Sequence, residues 1–416
     1  MTGRGLAIWL TAGVLAAGVA TARADTAIAS IRVDGLADSP FEVPVSAALD
    51  GITDLPAARL GLVRIDGKDA VPVPMQVDGT SRRMTWLAGA GEDGAPARFE
   101  LRDSGEAAFA ALTQGRADGL LTIGFDDHPL LGYQFGVMPA PPGVDPAFGR
   151  SGFIHPLYSP RGQILTRVQP PDHYHHYGIW NPWTHLEYDG AEYDLWNLGD
   201  KKGTVRFKRF VSDTSGPVYG EFTAEHEHVA FTPEAPVVIM DELQTIRVYR
   251  PVGDHYLFDM TIDLGAATDE PVTLLEYRYG GFGWRATEKW DKDNSEVLTS
   301  EGRDRRDADN TLGRWFYVQG AIDDAYAGAV VMSHPENFNH PEPMRIWPIP
   351  DEGRGDVFAS FSPTKNTDWR IEPGKRYVRV YRFLVYNGHM TAAGAESAWQ
   401  NFAHAPRVTI EAIREE

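Results

Sequence analysis

Three histidines, His173, His175 and His176, follow directly after Asp172 and are the strongest chemical signal in the sequence. An imidazole can accept a proton near neutral pH, and it is also a common ligand of metal ions. The neighbouring carboxylate can hold one ring in a single tautomer or join it on a metal. On a strand, the spacing would place His173 and His175 on one face and His176 on the other. The cluster therefore predicts an acid–base site oriented by Asp172. The alternatives are a metal site or histidines that bond the backbone in a crowded corner.

Aromatic side chains are dense in and after this cluster. They are Tyr174, Tyr177, Trp180, Trp183, Tyr188, Tyr193 and Trp196. Aromatic faces stack on the C–H faces of sugar rings, and their polar tips can bond hydroxyl groups. We expect Tyr174, Tyr177 and Trp180 to bind a sugar, together with His155 upstream. Core packing is the alternative for some of these rings.

Two arginines flank a glycine-rich segment. Gly280, Gly281 and Gly283 lie between Arg278 and Arg285, and glycine lets the backbone approach a ligand closely or form a bulge. Either guanidinium can bind a carboxylate through two hydrogen bonds. We predict that Arg285 stabilises negative charge during catalysis and that Arg278 binds substrate. A glycine-kinked strand with surface arginines is the alternative.

The segment from His334 to Arg345 contains three prolines, which predicts a rigid loop at a strand end. Its polar side chains could meet the histidine cluster, and His340 is a candidate catalytic acid. The further candidate substrate-binding residues in and before this loop are Arg314, Trp315, His334, Asn337 and Arg345. A proline-locked turn without chemistry is the alternative.

The elements that must position these groups are predicted to be strands. Alternating segments and turn signals predict an all-β protein, with a small β-sandwich over residues 26–115 and a large antiparallel β-supersandwich over residues 119–405. Prolines within residues 71–77 indicate an edge strand, and Pro160, Pro170 and Pro171 place the histidine cluster on a loop or an edge. Residues 104–118 are predicted to form a linker or one short helix. Ala392 to Ala403 is predicted to be a helix.

Composition narrows the class of protein. The formal net charge is -19, which disfavours nucleic acid and anionic membranes as partners. Residues 1–24 have a basic start, an apolar stretch and a small-residue cleavage site, which together predict a secretory signal peptide. Cysteine is absent, and export without disulfides favours a periplasmic or secreted bacterial protein. No later stretch is long enough to span a membrane, so an integral membrane protein is not expected.

The segments in combination resemble a bacterial family of unknown function that has been labelled "methane oxygenase PmoA". The resemblance rests on His155-Pro-Leu-Tyr-Ser-Pro160, Asp172-His-Tyr-His-His-Tyr-Gly-Ile-Trp180, Gly280-Gly-Phe-Gly-Trp-Arg285, Arg314-Trp315, His334-Pro-Glu-Asn-Phe338 and Pro343-Met-Arg345. It covers nearly the whole chain after the signal peptide. The family's loop reads Asp-His-Pro-His-His-Arg-Gly, so Tyr174 and Tyr177 depart from it, and no arginine stands at the second position here.

The resemblance implies a secreted protein from carbohydrate-use gene neighbourhoods, with a fold similar to the galactose-mutarotase-like supersandwich. That fold also occurs in polysaccharide lyases. The oxygenase label conflicts with the sequence, because an oxygenase subunit of that name should be an integral membrane protein. Fold similarity alone does not establish an activity.

These observations predict a periplasmic enzyme that acts on an oligosaccharide or a modified sugar by histidine-based acid–base chemistry, without a cofactor. A glycosidase would need two facing carboxylates, for which Glu276 and Glu301 are weak candidates. Lyase or epimerase chemistry is therefore favoured over hydrolysis. The alternatives are a non-catalytic carbohydrate-binding envelope protein and an enzyme with a metal on the three histidines.

Overall fold

The computed structural model describes residues 25–36, 40–91, 94–105, 108–350 and 353–413. Over these residues the protein is almost entirely β, with several large antiparallel sheets in a sandwich-like arrangement, which confirms the predicted fold class. The predicted signal peptide lies outside the described residues. None of the helices in the described ranges is long and apolar enough to cross a membrane.

A small sandwich contains most of the N-terminal residues. In spatial order, its first sheet comprises β29 (Arg407–Ala412), β1 (Thr26–Asp34), β7 (Ala97–Asp103), β3 (Leu60–Asp66) and β4 (Asp69–Val73). Its second sheet comprises β2 (Val43–Ala48), β6 (Arg83–Ala88) and β5 (Met75–Val77). Ile31, Phe99 and Trp86 are buried between the two sheets. The segment around residues 71–77 forms the edge strands β4 and β5, as predicted, because proline cannot donate to a central ladder.

Two larger sheets form the main sandwich. The nine-stranded sheet comprises, in spatial order, β22 (Leu312–Gly313), β25 (Glu342–Ile346), β26 (Phe358–Phe361), β20 (Gly283–Arg285), β12 (Ile179–Trp180), β11 (Phe153–Leu157), β10 (His128–Gln134), β9 (Leu120–Phe125) and β8 (Thr113–Ala117). The eight-stranded sheet comprises β15 (Gly203–Ser215), β16 (Tyr219–Phe231), β17 (Pro236–Tyr249), β18 (His255–Ala266), β28 (Tyr377–Asn387), β24 (Ala325–Ser333), β23 (Trp315–Ile322) and β21 (Ser295–Thr299). Alternate residues of these strands, such as Phe222, Phe258 and Phe383, meet Ile123 and Trp284 in one apolar core.

The remaining elements pack around this sandwich. A four-stranded sheet comprises β14 (Ala191–Tyr193), β13 (Leu186–Tyr188), β19 (Val272–Leu274) and β27 (Trp369–Ile371). The helix α1 (Ala392–Ala403) has the predicted bounds, and the Thr391 hydroxyl caps it by accepting a hydrogen bond of 3.1 Å from the Gly394 N–H. Trp399 and Phe402 of α1 pack against the eight-stranded sheet. Short 3-10 turns occur at Ala57–Arg59, Pro146–Phe148 and Leu198–Asp200.

Two strands, β8 and β29, are not predicted by the local sequence pattern. The segment 104–118, predicted as a linker or a short helix, contains strand β8, because Thr113–Ala117 pairs with β9 and joins the nine-stranded sheet. The C-terminal strand β29 pairs with β1 at the edge of the small sandwich. The small sandwich therefore contains residues from both ends of the described chain.

A buried polar network ties the segment after the histidine cluster to the main core. Glu242, fully buried, lies 3.1 Å from His226 Nδ1 and 3.0 Å from His228 Nε2. The Asn181 side chain donates to Glu242 at 2.7 Å and accepts from Arg379 at 2.8 Å. Buried charges remain stable only when they are paired and hydrogen-bonded. This network therefore holds Asn181, and with it the strand β12, in a fixed place.

Candidate functional site

The three histidines lie on successive turns and not on a strand. The His173 N–H donates to the Pro170 carbonyl at 2.9 Å, and the His176 N–H donates to the His173 carbonyl at 3.0 Å. Pro170 and Pro171 exclude regular structure at this point, as the sequence predicts. Because the backbone turns, the alternation expected of a strand does not apply, and His176 is not opposed to the other two. One nitrogen of each ring lies within 4.8 Å of the others.

A chain of ion pairs orients the first histidine. Asp172 Oδ2 lies 2.9 Å from His173 Nδ1 and accepts a hydrogen bond of 2.8 Å from Arg285 Nη2. The same Nη2 atom donates to Asp356 Oδ2 at 2.7 Å. The Arg285 side chain is fully buried, and its guanidinium carbon lies 4.7 Å from the centre of the Trp347 ring. Asp172 thus fixes the orientation of the His173 ring. Arg285 holds the two carboxylates, whereas the sequence had suggested direct stabilisation of substrate charge.

Burial changes the proton affinity of this cluster. Desolvation, with a smaller effect of His173, lowers the pKa of His175 to about 4. Desolvation also lowers the pKa of His176 well below its ordinary value. Partial burial raises the pKa of Asp172, but the hydrogen bond from His173 and the charge of Arg285 outweigh it, so the net pKa is lowered. At neutral pH the site therefore contains neutral His175 and His176 beside an ionised carboxylate.

The cluster lines a cavity of about 930 Å³, large enough for several sugar rings. Its predicted members are Asp172, His173, His175, His176, Arg278 and Arg345. Its aromatic members are Trp196, Tyr279, Trp347 and Phe358, and its further charged members are Arg167, Arg354 and Asp356. The wall thus combines neutral imidazoles, apolar ring surface and arginines.

The four cavity arginines differ in their partners. Arg167 and Arg354 bind Asp356 at 3.0 Å and 2.8 Å, and Arg345 binds Asp309. Arg278 has no carboxylate partner among the described residues, and its guanidinium lies 5.4 Å from the centre of the Tyr279 ring. Among the described residues, no bound carboxylate therefore offsets the positive charge of Arg278.

Ten of the predicted residues do not line this cavity, and five of them form one group. These five are Arg314, Trp315, His334, Asn337 and His340, which lie near α1 or strand β28. Glu396 of α1 accepts hydrogen bonds from Arg314 at 3.0 Å and from Trp315 Nε1 at 2.8 Å. His340 stacks on Trp399, and the Asn337 amide donates to the Val380 carbonyl at 3.0 Å. His340 precedes β25, whereas Arg345 is the fourth residue of that strand, and a strand advances about 3.3 Å per residue.

The predicted aromatic residues also lie outside the cavity wall. Trp180 is 1% exposed and packs beneath His176 at a ring distance of 5.1 Å. Tyr177 is buried, and its hydroxyl donates to the Phe148 carbonyl. Tyr174 lies against Phe148 at 5.7 Å. Tyr177 and Trp180 therefore support the histidine cluster from below, which is the core-packing alternative for these rings.

His155 faces a second cavity of about 600 Å³. Its Nδ1 lies 2.9 Å from the Thr166 hydroxyl, and burial lowers its pKa to about 4. Arg167 and Pro171 line both cavities. The two cavities are thus neighbours, although His155 does not reach the three histidines' cavity.

Several cavity residues were not singled out from the sequence. Trp347 lies two positions after the predicted Arg345, and its proximity to that arginine was the available signal. Asp356 and Arg354 follow a segment rich in glycine and proline that contains no recognisable motif. Tyr279 lies next to Arg278, and that adjacency is the signal in the sequence that points to it. The rings of Tyr279 and Trp347 supply stacking surface that the sequence assigned to Tyr174, Tyr177 and Trp180.

Comparisons with known proteins give distant structural similarity and one family. The chain is similar to an alpha-mannosidase from Enterococcus faecalis V583, with a TM-score of 0.45 and 8% identity over 94% of this chain and 46% of that chain. It is also similar to a heparan sulfate lyase HepC mutant from Pedobacter heparinus, with a TM-score of 0.30 and 10% identity over 68% of this chain and 36% of that chain. The chain thus spans less than half the length of either protein, and no curated protein matches its sequence. The resemblances to the PmoA-labelled family and to the mutarotase-like fold stay predictions. The profile of DUF6807, a family of unknown function, matches residues 121–400, and the chain therefore belongs to that family.

Proposed function

We propose that the protein is an enzyme that acts on an acidic sugar or oligosaccharide by removing a proton next to its carboxylate. The observation that carries this proposal is that the three histidines and the uncompensated Arg278 line one cavity. The histidines supply a basic group, and Arg278 supplies an anion-binding group. Both are needed in the same place for this chemistry.

The cavity wall suits a sugar ring. Trp347, Tyr279, Trp196 and Phe358 offer aromatic faces, and arginines and imidazoles lie among them. Sugars present apolar C–H faces and polar edges, so a wall of rings interrupted by hydrogen-bond donors complements both.

The charge of the cavity favours an acidic group on that sugar. The chain as a whole has a net charge of -19, yet four arginines line this wall beside two aspartates. Because Arg278 has no carboxylate partner among the described residues, it can bind a carboxylate or a sulfate of the ligand. A neutral sugar would leave this guanidinium without a counter-charge.

The carboxylates of the cavity argue against a glycosidase. Asp172 and Asp356 are its acidic members, and both are bound by the same nitrogen of Arg285. The pKa of Asp172 is lowered, whereas a general acid needs a raised pKa. A group of the histidine trio therefore serves as the base and takes the proton from the carbon next to the carboxylate.

Elimination and epimerisation share this first step. In elimination, the electron pair of the broken C–H bond forms a double bond, the glycosidic C–O bond breaks, and the leaving oxygen takes a proton. In epimerisation, a proton returns to the other face of the same carbon. Arg278 stabilises the negative charge that develops on the carboxylate.

We place this activity outside the cytoplasm, in the periplasm or in the medium. The support is the sequence of residues 1–24, with its basic start, apolar stretch and small-residue cleavage site. The absence of cysteine fits an exported bacterial protein that does not depend on disulfides.

The test uses uronate-containing oligosaccharides and neutral oligosaccharides of matched length. New double bonds conjugated to a carboxylate, new reducing ends and inverted carbon centres are followed by absorbance, by a reducing-end assay and by NMR. We expect product from acidic substrates alone. The variant His175→Ala should lower kcat by about 10²-fold or more, whereas His128→Ala, at an exposed position on β10, should not change it.

Three outcomes would contradict parts of the proposal. Product from neutral sugars at equal rates would remove the acidic substrate class. Reducing ends without double bonds would indicate hydrolysis. Saturable sugar binding without any product would favour a carbohydrate-binding envelope protein.

A further inference from the structure

We propose that His173, His175 and His176 together bind one divalent transition-metal ion, such as zinc. One nitrogen of each ring lies within 4.8 Å of the other two, on a turn held by the backbone bonds at Pro170 and His173. Three imidazoles with an open fourth position are the ligand set of many catalytic zinc sites. This assignment does not rest on the proposed sugar chemistry.

The tautomer of His173 is already set for a metal. Its Nδ1 lies 2.9 Å from Asp172 Oδ2. A carboxylate oxygen accepts a hydrogen bond, so Nδ1 is the donor in this contact and Nε2 is the ring nitrogen that can ligate a metal. A histidine that ligates a metal usually donates its other ring N–H to a carboxylate, which orients the ring and raises its basicity.

His176 supplies a second, independent observation. It is 3% exposed, and its Nδ1 has no hydrogen-bond partner among the described residues. A buried polar nitrogen without a partner destabilises the folded protein. Ligation through Nδ1 would give this atom the partner that it lacks.

The surrounding charges permit a cation. Asp172 Oδ2 lies 2.9 Å from His173 Nδ1 and 2.8 Å from Arg285, so this carboxylate offsets the guanidinium beside the histidines. Asp356 also binds Arg285, at 2.7 Å, but it is shared with Arg167 and Arg354. The attraction for a metal ion therefore comes from the three imidazole nitrogens and from Asp172.

The donor set predicts which ion binds. Neutral imidazole nitrogens suit zinc, copper, nickel, cobalt and ferrous iron, whereas magnesium and calcium prefer oxygen ligands. The cavity of about 930 Å³ opens beside the cluster, so a water or a substrate oxygen can take the free coordination position. A water bound to such an ion would act as a base near neutral pH, and it would then replace an imidazole as the base of the proposed reaction.

The test measures metal content in the chain expressed without an oligohistidine tag. The protein is treated with a chelator, loaded with zinc or cobalt, and dialysed, and the bound metal is counted by mass spectrometry. We expect about one ion per chain and, for cobalt, the visible absorption of a four-coordinate site with nitrogen ligands. The variants His175→Ala and His176→Ala should lose both signals, whereas the matched control His128→Ala should keep them.

A second variant separates ligation from folding. Asp172→Asn keeps all three rings but removes the carboxylate charge behind His173, and it should weaken metal affinity by about 10- to 100-fold while the saturating stoichiometry stays the same. Thermal unfolding of each variant in chelator shows whether the fold persists.

Two results would overturn the proposal. One is a wild-type chain that retains far less than one ion after loading, and the other is loss of metal from His128→Ala to the same extent as from the trio variants. Binding of acidic sugars is measured separately on chelator-treated protein, so failure of the metal site and failure of the proposed substrate class are distinguishable.

Discussion

At the scale of single residues, two arginines seven positions apart have different tasks. Arg285 lies on β20 with its side chain fully buried, where it binds Asp172 and Asp356. Arg278 lies before that strand, lines the cavity, and has no carboxylate partner among the described residues. The same type of side chain thus holds the carboxylate beside the histidines in one place and faces an open cavity in the other. Burial and partners, and not residue type, separate the two roles.

The role of Arg278 leads to a prediction about affinity. The variant Arg278→Gln should bind acidic oligosaccharides about 10- to 100-fold more weakly, because a hydrogen bond between charged groups contributes about 1.5–3 kcal/mol. Titration calorimetry with acidic and neutral ligands of equal length measures the effect. Arg32→Gln, an exposed arginine of the small sandwich, is the matched control. Equal affinity of Arg278→Gln and wild type for acidic ligands would show that Arg278 does not bind their charge.

At the scale of elements, strand β25 decides which predicted residues reach the cavity. Arg345 lies on β25, and Trp347 follows the strand directly; both line the cavity, whereas His340 precedes the strand and stacks on Trp399 of α1. Glu396 binds Arg314 and Trp315 from the same helix. The group around Arg314 and His340 therefore attaches α1 to the eight-stranded sheet. Its conspicuous composition is explained by a helix–sheet interface.

This interface predicts a stability effect without a binding effect. Trp399 is 5% exposed, and its Nε1 donates to the Ser333 carbonyl at 3.0 Å. Trp399→Ala should lower the free energy of unfolding by about 3–5 kcal/mol, because a large buried ring and its hydrogen bond are lost. Denaturant unfolding measures this change, and sugar binding is measured below the transition.

The matched control is Val378→Ala, which removes an exposed apolar side chain from β28 and should change stability by less than about 0.5 kcal/mol. Unchanged stability of Trp399→Ala, or loss of sugar binding while the chain remains folded, would contradict a purely structural role for this interface.

At the scale of the whole molecule, the fold buries several histidines that must stay neutral. Burial lowers the pKa of His155 to about 4, against about 6.5 for an exposed histidine. Between these two pH values the unfolded chain takes up a proton that the folded protein does not. The contribution of neutral His155 to the free energy of unfolding is therefore complete above about pH 6.5 and is lost as the pH decreases toward 4.

His155 allows this linkage to be measured. Wild type should lose free energy of unfolding between pH 7 and pH 5, and His155→Gln, which does not titrate there, should lose about 1–2 kcal/mol less. Denaturant unfolding at the two pH values gives both numbers. His128→Gln, exposed on β10, is the control and should behave as wild type. Equal losses in wild type and His155→Gln would show that burial of His155 does not contribute.

The sequence by itself determined the all-β class, the bounds of α1, the edge strands at residues 71–77 and the loop character of the histidine cluster. These features follow from local rules, namely alternation of side chains along strands, helix capping and the missing N–H of proline. The sequence also identified Asp172, the three histidines, Arg278 and Arg345 as candidate site residues, because their side chains can perform acid–base chemistry or bind anions.

Only the tertiary structure decided which of these groups share a cavity. Strand β12 pairs with β20, and β20 pairs with β26, so segments more than 100 and about 70 residues apart meet beside the histidines. These pairings place Arg285 beneath the cluster and Asp356, just before β26, against it. Local periodicity contains no information on pairings at such separations, since they depend on how whole sheets bury their apolar faces. For the same reason Trp347 and Tyr279 supply the aromatic wall, while Tyr177 and Trp180 are buried beneath it.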